Sequence, residues 1–86
     1  MPTISEFFGI LILMYYEDHA PPHFHARYNE FEALIRIDPL GVLQGRLPPK
    51  ALSLVMEWAV QHTEDLLRDW KLAEGYQKLE KIRPLE

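Results

Sequence analysis

Residues 23–37 alternate between polar and apolar side chains on both sides of an Asn-Glu pair at 29–30, and this alternation constrains the fold more than any other feature. Successive side chains of a β-strand point to opposite faces, and asparagine tolerates the positive φ of a two-residue hairpin turn. A slip of one residue would mix the polar and apolar faces, so the pattern predicts one register. The predicted pairs are Tyr28 with Phe31, Arg27 with Glu32, Ala26 with Ala33, His25 with Leu34, Phe24 with Ile35 and His23 with Arg36.

The two faces of this predicted hairpin differ in chemistry. One face is apolar and is expected to meet the core; it carries Phe24, Ala26, Tyr28, Phe31, Ala33, Ile35 and Ile37. The opposite face is polar and is expected to be solvated; it carries His23, His25, Arg27, Glu32 and Arg36, with Leu34 among them. The polar face therefore contains the candidate functional residues.

The rest of the chain predicts strands first and a helix last. The apolar run at 7–16 favours a buried central strand at about 9–16, and residues 42–44 favour a short edge strand. Apolar side chains then recur at three- and four-residue steps, which indicates an amphipathic helix over 49–75.

The predicted fold is α+β, with a small, mostly antiparallel sheet of three to four strands followed by one long helix packed on one face. A bend within that helix is compatible with the pattern. Eighty-six residues are too few for two separate cores, so residues 1–86 are expected to form a single domain. Within it, strands and hairpins occupy 9–47, the helix 49–75 and a C-terminal tail 76–86.

Trp58 lies beside the apolar stripe of the predicted helix. Two interpretations follow: it packs against the first strand or the tail, or it belongs to a surface that binds a partner. A domain of this size buries only about two-thirds of the surface of its unfolded chain, so its stability margin is thin. Such a margin is compatible with a homo-oligomer or with binding to a partner protein.

Composition argues against several classes of function. The chain has no cysteine, which removes disulfides, thiolate metal ligands and cysteine nucleophiles, and which suits a reducing compartment such as the cytoplasm. Its formal net charge of −4 argues against coating nucleic acid through overall charge, although a local basic patch remains allowed. The apolar run has about half the length of a membrane helix, so no membrane association is expected.

Three interpretations of the polar face remain open, and the first is a metal site. His23 and His25 lie two apart on a strand, which places their side chains about 7 Å from each other, and imidazole is a good ligand for zinc and similar ions. His19 is the candidate third ligand. Other groups able to complete the coordination shell are Asp18, Glu17, Glu32 and His62.

The second interpretation is general acid–base chemistry of a ribonuclease type, on the phosphodiester of RNA. Histidine titrates near neutral pH, so His23 and His25 could share removal and return of a proton. Arg27 or Arg36 would stabilise the charge that develops on phosphorus, and Tyr28 at the rim could stack on a base. This chemistry needs no cofactor.

The third interpretation is a non-enzymatic module. Here the histidines form hydrogen bonds with Glu32 or with the backbone, and the sheet face or the Trp58 flank docks another protein chain. No catalysis or metal is implied.

Four segments of the chain resemble a family of small bacterial proteins catalogued as a domain of unknown function: MPTISEFFGILILMYYEDHAPPHFHARY, IDPLGVLQGRLP, ALSLVMEW and LLRDWKLA. The resemblance spans nearly the whole chain, and its signature H-x-P-P-H-F-H-x-x-Y matches His19, Pro21, Pro22, His23, Phe24, His25 and Tyr28. It implies the toxin-like component of a two-protein module of the toxin–antitoxin type, with a small antitoxin-like protein as partner. It assigns no catalytic residues.

The leading expectation is therefore a toxin-like protein that acts on RNA or on the ribosome. The candidate catalytic residues are His23, His25, Arg27 and Arg36, and the candidate binding residues are Tyr28, Glu32 and Trp58. The protein-binding module is the alternative. A zinc-binding domain built on His19, His23 and His25 is the third expectation.

Overall fold

The computed structural model describes residues 3–86 as a five-stranded antiparallel sheet followed by two helices, with the strands in the order β1-β2-β3-β4-β5. The strands are β1 (Thr3–Phe7), β2 (Ile10–Leu13), β3 (His23–Tyr28), β4 (Phe31–Arg36) and β5 (Gly41–Arg46); the helices are α1 (Pro49–Gln61) and α2 (Thr63–Glu74). This architecture confirms the α+β class. The prediction of three to four strands was wrong, because residues 3–46 form five.

The β3–β4 hairpin has the predicted register. All six predicted pairs are present, from Tyr28 opposite Phe31 at the turn to His23 opposite Arg36 at the far end. Asn29 has φ 52°, the left-handed conformation expected of it. The side chains of Phe24 and Ala26 are fully buried, as expected of the core-facing side.

The strand that the residue pattern did not predict is β1. The apolar run that predicted one strand over 9–16 is interrupted by a two-residue turn at Phe8 and Gly9, where φ is 50° and 78°. Phe7 lies opposite Ile10 across this turn, so β1 and β2 form a second tight hairpin. Positive φ at both turn positions is the geometry of a type I′ turn, and phenylalanine is unusual there. Gly9 suits its turn position, but Phe8 does not, so the residue types gave only half of the usual turn signal.

The single helix predicted over 49–75 is two helices. His62, between them, has φ −128° and ψ 28°, outside helical geometry. Its backbone N–H closes α1 by donating to Ala59 O at 3.0 Å, and its carbonyl opens α2 by accepting from Leu66 N–H at 2.9 Å. Glu64 and Asp65 in the first turn of α2 stabilise this second helix start. Neither helix within residues 3–86 has the length and apolarity to cross a membrane.

Trp58 lies at the centre of the core between the sheet and α1. Its side chain has no solvent exposure, and its ring centroid lies 5.4 Å from Phe7 and 5.8 Å from Phe24. The indole Nε1–H donates to the carbonyl of Arg83 in the tail at 2.8 Å. Of the two interpretations of Trp58, the structure agrees with packing. This side chain packs against β1 and β3 and anchors the tail, so it does not form part of a partner surface.

The tail after α2 runs alongside β1 without regular secondary structure. Ile82 donates its backbone N–H to Ile4 O at 2.8 Å, and its side chain is buried. Lys81 Nζ donates to Thr3 O at 2.7 Å. The tail therefore covers part of β1, whereas β5 at the opposite edge of the sheet is paired with β4 alone and is largely exposed. An edge strand at 42–44 was predicted, and β5 confirms it.

Asp69 is an acidic side chain of α2 with no solvent exposure. Its Oδ1 accepts a hydrogen bond from Glu80 N–H at 3.0 Å, whereas its buried Oδ2 has no hydrogen-bond partner in residues 3–86. Burial raises the pKa of Asp69 above its ordinary value, because desolvation disfavours the charged carboxylate. Ionised Asp69 therefore destabilises the folded state.

We expect the wild-type protein to gain stability relative to Asp69→Asn as the pH falls. A carboxyl group with a higher pKa in the folded state penalises folding fully above that pKa; the penalty shrinks as the pH falls through it and vanishes below the unfolded pKa. Asparagine preserves the oxygen that accepts from Glu80 and does not titrate. Urea unfolding of both proteins at about pH 7 and about pH 4 measures the difference. A difference that is constant between the two pH values would contradict this assignment.

Candidate metal centre

Asp18, His23 and His25 converge at the start of β3. The loop 14–22 leaves β2, turns back and places the Asp18 carboxylate over the first residues of β3. Asp18 Oδ2 lies 3.2 Å from His23 Nε2 and 3.0 Å from His25 Nε2. One ligand atom from each of the three side chains lies within 4.8 Å of the other two. The cluster therefore has the donor types and the size of a site for a single metal ion.

His23 is the buried member of the cluster. Its side chain is 5% exposed, and its ring centroid lies 5.3 Å from Trp70 of α2 and 5.3 Å from His25. The alternation along β3 put the two histidines on one face as predicted. The expectation that this face is solvated was wrong at His23, because α2 brings Trp70 against it.

The second ring nitrogen of each histidine is engaged by an acceptor. His23 Nδ1 lies 2.9 Å from the carbonyl of Pro21, and His25 Nδ1 lies 3.0 Å from Oε2 of Glu32. A carbonyl and a carboxylate can only accept, so each Nδ1 carries the proton and donates. In the neutral form each Nε2 then has a free lone pair, and both face the same Asp18 oxygen.

While both imidazoles are neutral, these three atoms are all acceptors, and a proton or a metal ion between them would satisfy them. His23 Nε2 is buried and has no hydrogen-bond partner in the described part of the chain, although Asp18 Oδ2 is only 3.2 Å away. A proton can satisfy His25, whose Nε2 has hydrogen-bond geometry toward Asp18. A metal ion satisfies both histidines and the carboxylate at once. Tetrahedral zinc with bonds of about 2.0–2.1 Å separates its ligand atoms by about 3.3 Å, close to the 3.0 and 3.2 Å between Asp18 Oδ2 and the two Nε2 atoms.

The partners of the two Nδ1 atoms resemble the outer shell of known metal sites. Histidines that bind metals almost always donate their other N–H to a carboxylate or a backbone carbonyl, which fixes the ring orientation. Pro21 and Glu32 supply one acceptor of each kind. Glu32, predicted as a binding residue, thus lies behind His25.

The other predicted site residues are distributed unevenly. Arg27 is near the cluster: its Nη2 donates to Tyr15 OH at 3.4 Å and lies 3.8 Å from Glu32 Oε1. Arg36 is on the same face but donates its Nε–H to Pro39 O at 2.8 Å. Tyr28 points to the opposite face of β3, as the alternation requires, so it does not form a rim to the histidines.

His19 was predicted as the third metal ligand, but it is exposed and does not belong to the cluster. Asp18, one of the alternatives considered for that position, takes its place. The loop between β2 and β3 determines this choice, because only one of the two neighbouring side chains turns toward β3.

Two residues at the site were missed from the sequence. Tyr15 packs edge-on against His25 with ring centroids 4.5 Å apart, and Trp70 covers His23. Tyr15 belonged to the apolar run that was predicted as strand, and Trp70 to the apolar stripe of the helix. Nothing local distinguishes either residue from a core side chain.

Comparison with known proteins gives one family. A family model described as "Domain of unknown function (DUF4160)" matches residues 9–71, which include β2 to β5, α1, most of α2 and the Asp18–His23–His25 cluster. No curated protein and no solved structure gives a significant match.

Proposed function

We propose that this chain, which belongs to the family described as domain of unknown function (DUF4160), binds one divalent transition-metal ion through Asp18, His23 and His25. The observation that carries the proposal is the convergence of two imidazole Nε2 atoms on a single carboxylate oxygen at 3.0 and 3.2 Å. Both imidazoles are oriented for this by acceptors at Nδ1. Zinc is the best-matched ion.

The donor set favours zinc and similar ions over calcium and magnesium. Imidazole suits zinc, copper, iron and nickel, whereas calcium and magnesium prefer oxygen ligands. Two imidazoles and one carboxylate are also a known combination of zinc sites that keep a fourth position for water or substrate. At such a position zinc would supply Lewis acidity and a bound water that ionises near neutral pH. Glu32 would orient the His25 ligand, and Trp70 would shield the His23 ligand from solvent.

Zinc titration of protein purified without a histidine tag tests the proposal. We expect one zinc per chain by isothermal titration calorimetry and by metal analysis after dialysis. In nitrogen-15 NMR spectra the Nε2 resonances of His23 and His25 should move, while the resonances of His19 and His62 should not. Zinc content clearly below stoichiometry after incubation with the ion would rule the proposal out.

A second candidate function is the toxin-like component of a toxin–antitoxin-type pair, acting on RNA or on the ribosome. The observation that favours it is the position of Arg27, whose guanidinium donates to Tyr15 OH while Tyr15 packs on His25. A cation near two imidazoles can stabilise a phosphate while the imidazoles transfer protons. This candidate function implies a small antitoxin-like protein as the partner.

Controlled expression tests the second candidate. If the chain is a toxin of this kind, its induction should arrest growth, and the combined change His23→Ala with His25→Ala should restore growth when the variant accumulates to the same level. Arg27→Ala should weaken the arrest, whereas Lys50→Ala, at the exposed start of α1, should not. Growth that is unaffected by the wild-type chain would remove this candidate and leave the metal proposal untouched.

A further inference from the structure

We infer that a cleft beside the cluster binds an organic cation, namely an alkylammonium or guanidinium group. This aromatic cleft is an open cavity of about 330 Å³ between the loop 14–22 and the end of α2. Four of its eight lining residues are aromatic: Tyr15, Tyr16, Trp70 and Tyr76. Three others are carboxylates, and none of the eight carries a positive charge. The inference does not depend on the proposed metal.

The aromatic walls are held in place by contacts of their own. The rings of Tyr16 and Tyr76 are stacked, with centroids 6.3 Å apart and planes within 6°. Tyr16 OH donates to Gln77 O at 2.9 Å, and Trp70 Nε1–H donates to Glu74 Oε2 at 3.2 Å. A ligand would therefore meet a largely preformed surface, which lowers the entropy cost of binding.

The carboxylates give the cleft its charge preference. Glu17 and Glu74 are exposed at its margin, and Asp18 lines it on the side of the cluster. The faces of aromatic rings attract cations, and this attraction adds to that of nearby carboxylates. An anion would meet three negative charges. An organic cation is thus the class of ligand that both the rings and the carboxylates favour.

A buried polar atom next to the cleft supports the binding of a ligand that carries hydrogen-bond donors. His23 packs on Trp70 and faces Asp18, two residues of the cleft, and its side chain is only 5% exposed. Its Nε2 has no hydrogen-bond partner within residues 3–86. Buried polar groups are normally satisfied by protein, water or ligand. An ammonium or guanidinium group bound to Asp18, whose Oδ2 lies 3.2 Å from this Nε2, would bring an N–H donor close to the lone pair that lacks one.

The size of the cleft limits the part of the ligand that it holds to one ammonium or guanidinium headgroup and the first carbons attached to it. Ligand pockets of proteins usually measure about 300–1,000 Å³, so this cavity is at the lower end. The two sources of such a group are a lysine or arginine side chain of another protein and a free polyamine. Both present the same chemistry to the rings and carboxylates.

NMR titration of the metal-free, nitrogen-15-labelled chain tests the inference. The probes are Nα-acetylarginine methylamide, its neutral analogue Nα-acetylcitrulline methylamide, and spermidine. The indole N–H resonance of Trp70 should shift with the arginine compound and stay in place with the citrulline compound. Trp58 is the internal control, because its indole is buried in the core and bonded to Arg83. Tighter binding of the arginine compound than of spermidine would assign a protein side chain as the source, and the reverse a polyamine.

Variants locate the effect. Glu17→Gln and Tyr76→Leu should each weaken cation binding about fivefold, since each removes one exposed electrostatic or cation–π contact. Glu57→Gln removes an exposed carboxylate of α1 outside the cleft and should leave the affinity unchanged. The inference is overturned if the citrulline compound shifts the Trp70 resonance as far as the arginine compound. It is equally overturned if Glu17→Gln and Glu57→Gln bind alike.

Zinc provides a further comparison, since Asp18 belongs to both the cluster and the cleft. If the chain binds zinc, the ion neutralises Asp18 and the cation should bind less tightly to the loaded protein. If the chain binds no zinc, the arginine titration of the metal-free protein still reports on the cleft. Failure of the metal proposal and failure of the cation site are thus measured separately.

Discussion

His23→Ala is expected to lower the affinity of the chain for zinc at least about 100-fold. Changes to the outer partners of metal ligands already cost about 10- to 100-fold in affinity, and His23 is proposed to contact the ion itself. Its Nε2 is one of three donor atoms, and within residues 3–86 the metal-ligand cluster holds no fourth side chain to replace it behind Trp70. Asp18→Asn should have an effect in the same direction, because an amide oxygen lacks the carboxylate charge. Isothermal titration calorimetry with zinc measures both.

His19→Ala is the matched control for this experiment. His19 is adjacent to Asp18 in the chain, carries the same imidazole and is exposed outside the cluster. Its removal should leave the zinc affinity unchanged. An equal loss in His19→Ala and His23→Ala would indicate adsorption to exposed imidazoles. Because His23 is buried, its variant needs a thermal unfolding curve to show that it is folded, and His25→Ala offers a second, less buried ligand position.

The face of β3 that carries the histidines could be predicted because it depends on local geometry alone. Alternation along a strand has a period of two, and the turn at Asn29 fixes which residue of β4 lies opposite each residue of β3. His23, His25 and Arg27 could therefore be placed on one face from the sequence, without any tertiary contact. Their chemistry, as opposed to their position, depends on what the rest of the chain places over them.

The third member of the cluster could not be predicted by the same argument. Asp18 and His19 are neighbours in an irregular loop, and no periodicity decides which of them turns toward β3. Trp70 reaches His23 because a new helix, α2, begins after His62 and places Trp70 at the start of β3. Both interactions join residues that are distant from one another along the chain or separated by irregular backbone, so they follow from the packing of the whole domain.

The two errors in element count have local causes of different kinds. A helical stripe that continues through His62 hides a break, because the apolar side chains on either side keep their spacing while the backbone leaves helical geometry at one residue. The β1–β2 turn is hidden by residue type, since Phe8 occupies a positive-φ position that asparagine or glycine usually fills.

Trp58→Ala is expected to destabilise the domain by about 3–5 kcal/mol, the usual cost of removing a large buried aromatic side chain. The indole fills the space between Phe7 and Phe24 and donates to Arg83 O, so its loss leaves a cavity and frees the tail. A domain of this length has about 4–13 kcal/mol of stability, so the variant can be largely unfolded. Trp58→Phe keeps part of the packing and should cost about 1–2 kcal/mol, which urea unfolding can measure.

Val60→Ala distinguishes the core assignment of Trp58 from the partner surface inferred from the sequence. Val60 is on the same helix and 66% exposed, so its truncation should change stability by less than about 0.5 kcal/mol. If Trp58 formed a partner surface, Trp58→Ala would resemble Val60→Ala in the urea experiment and would differ from it only in binding. If Trp58 is the centre of the core, the two variants differ by several kcal/mol in the isolated chain. The tail should then also become accessible to protease in Trp58→Phe before the sheet does, because phenylalanine cannot donate the hydrogen bond that holds the carbonyl of Arg83.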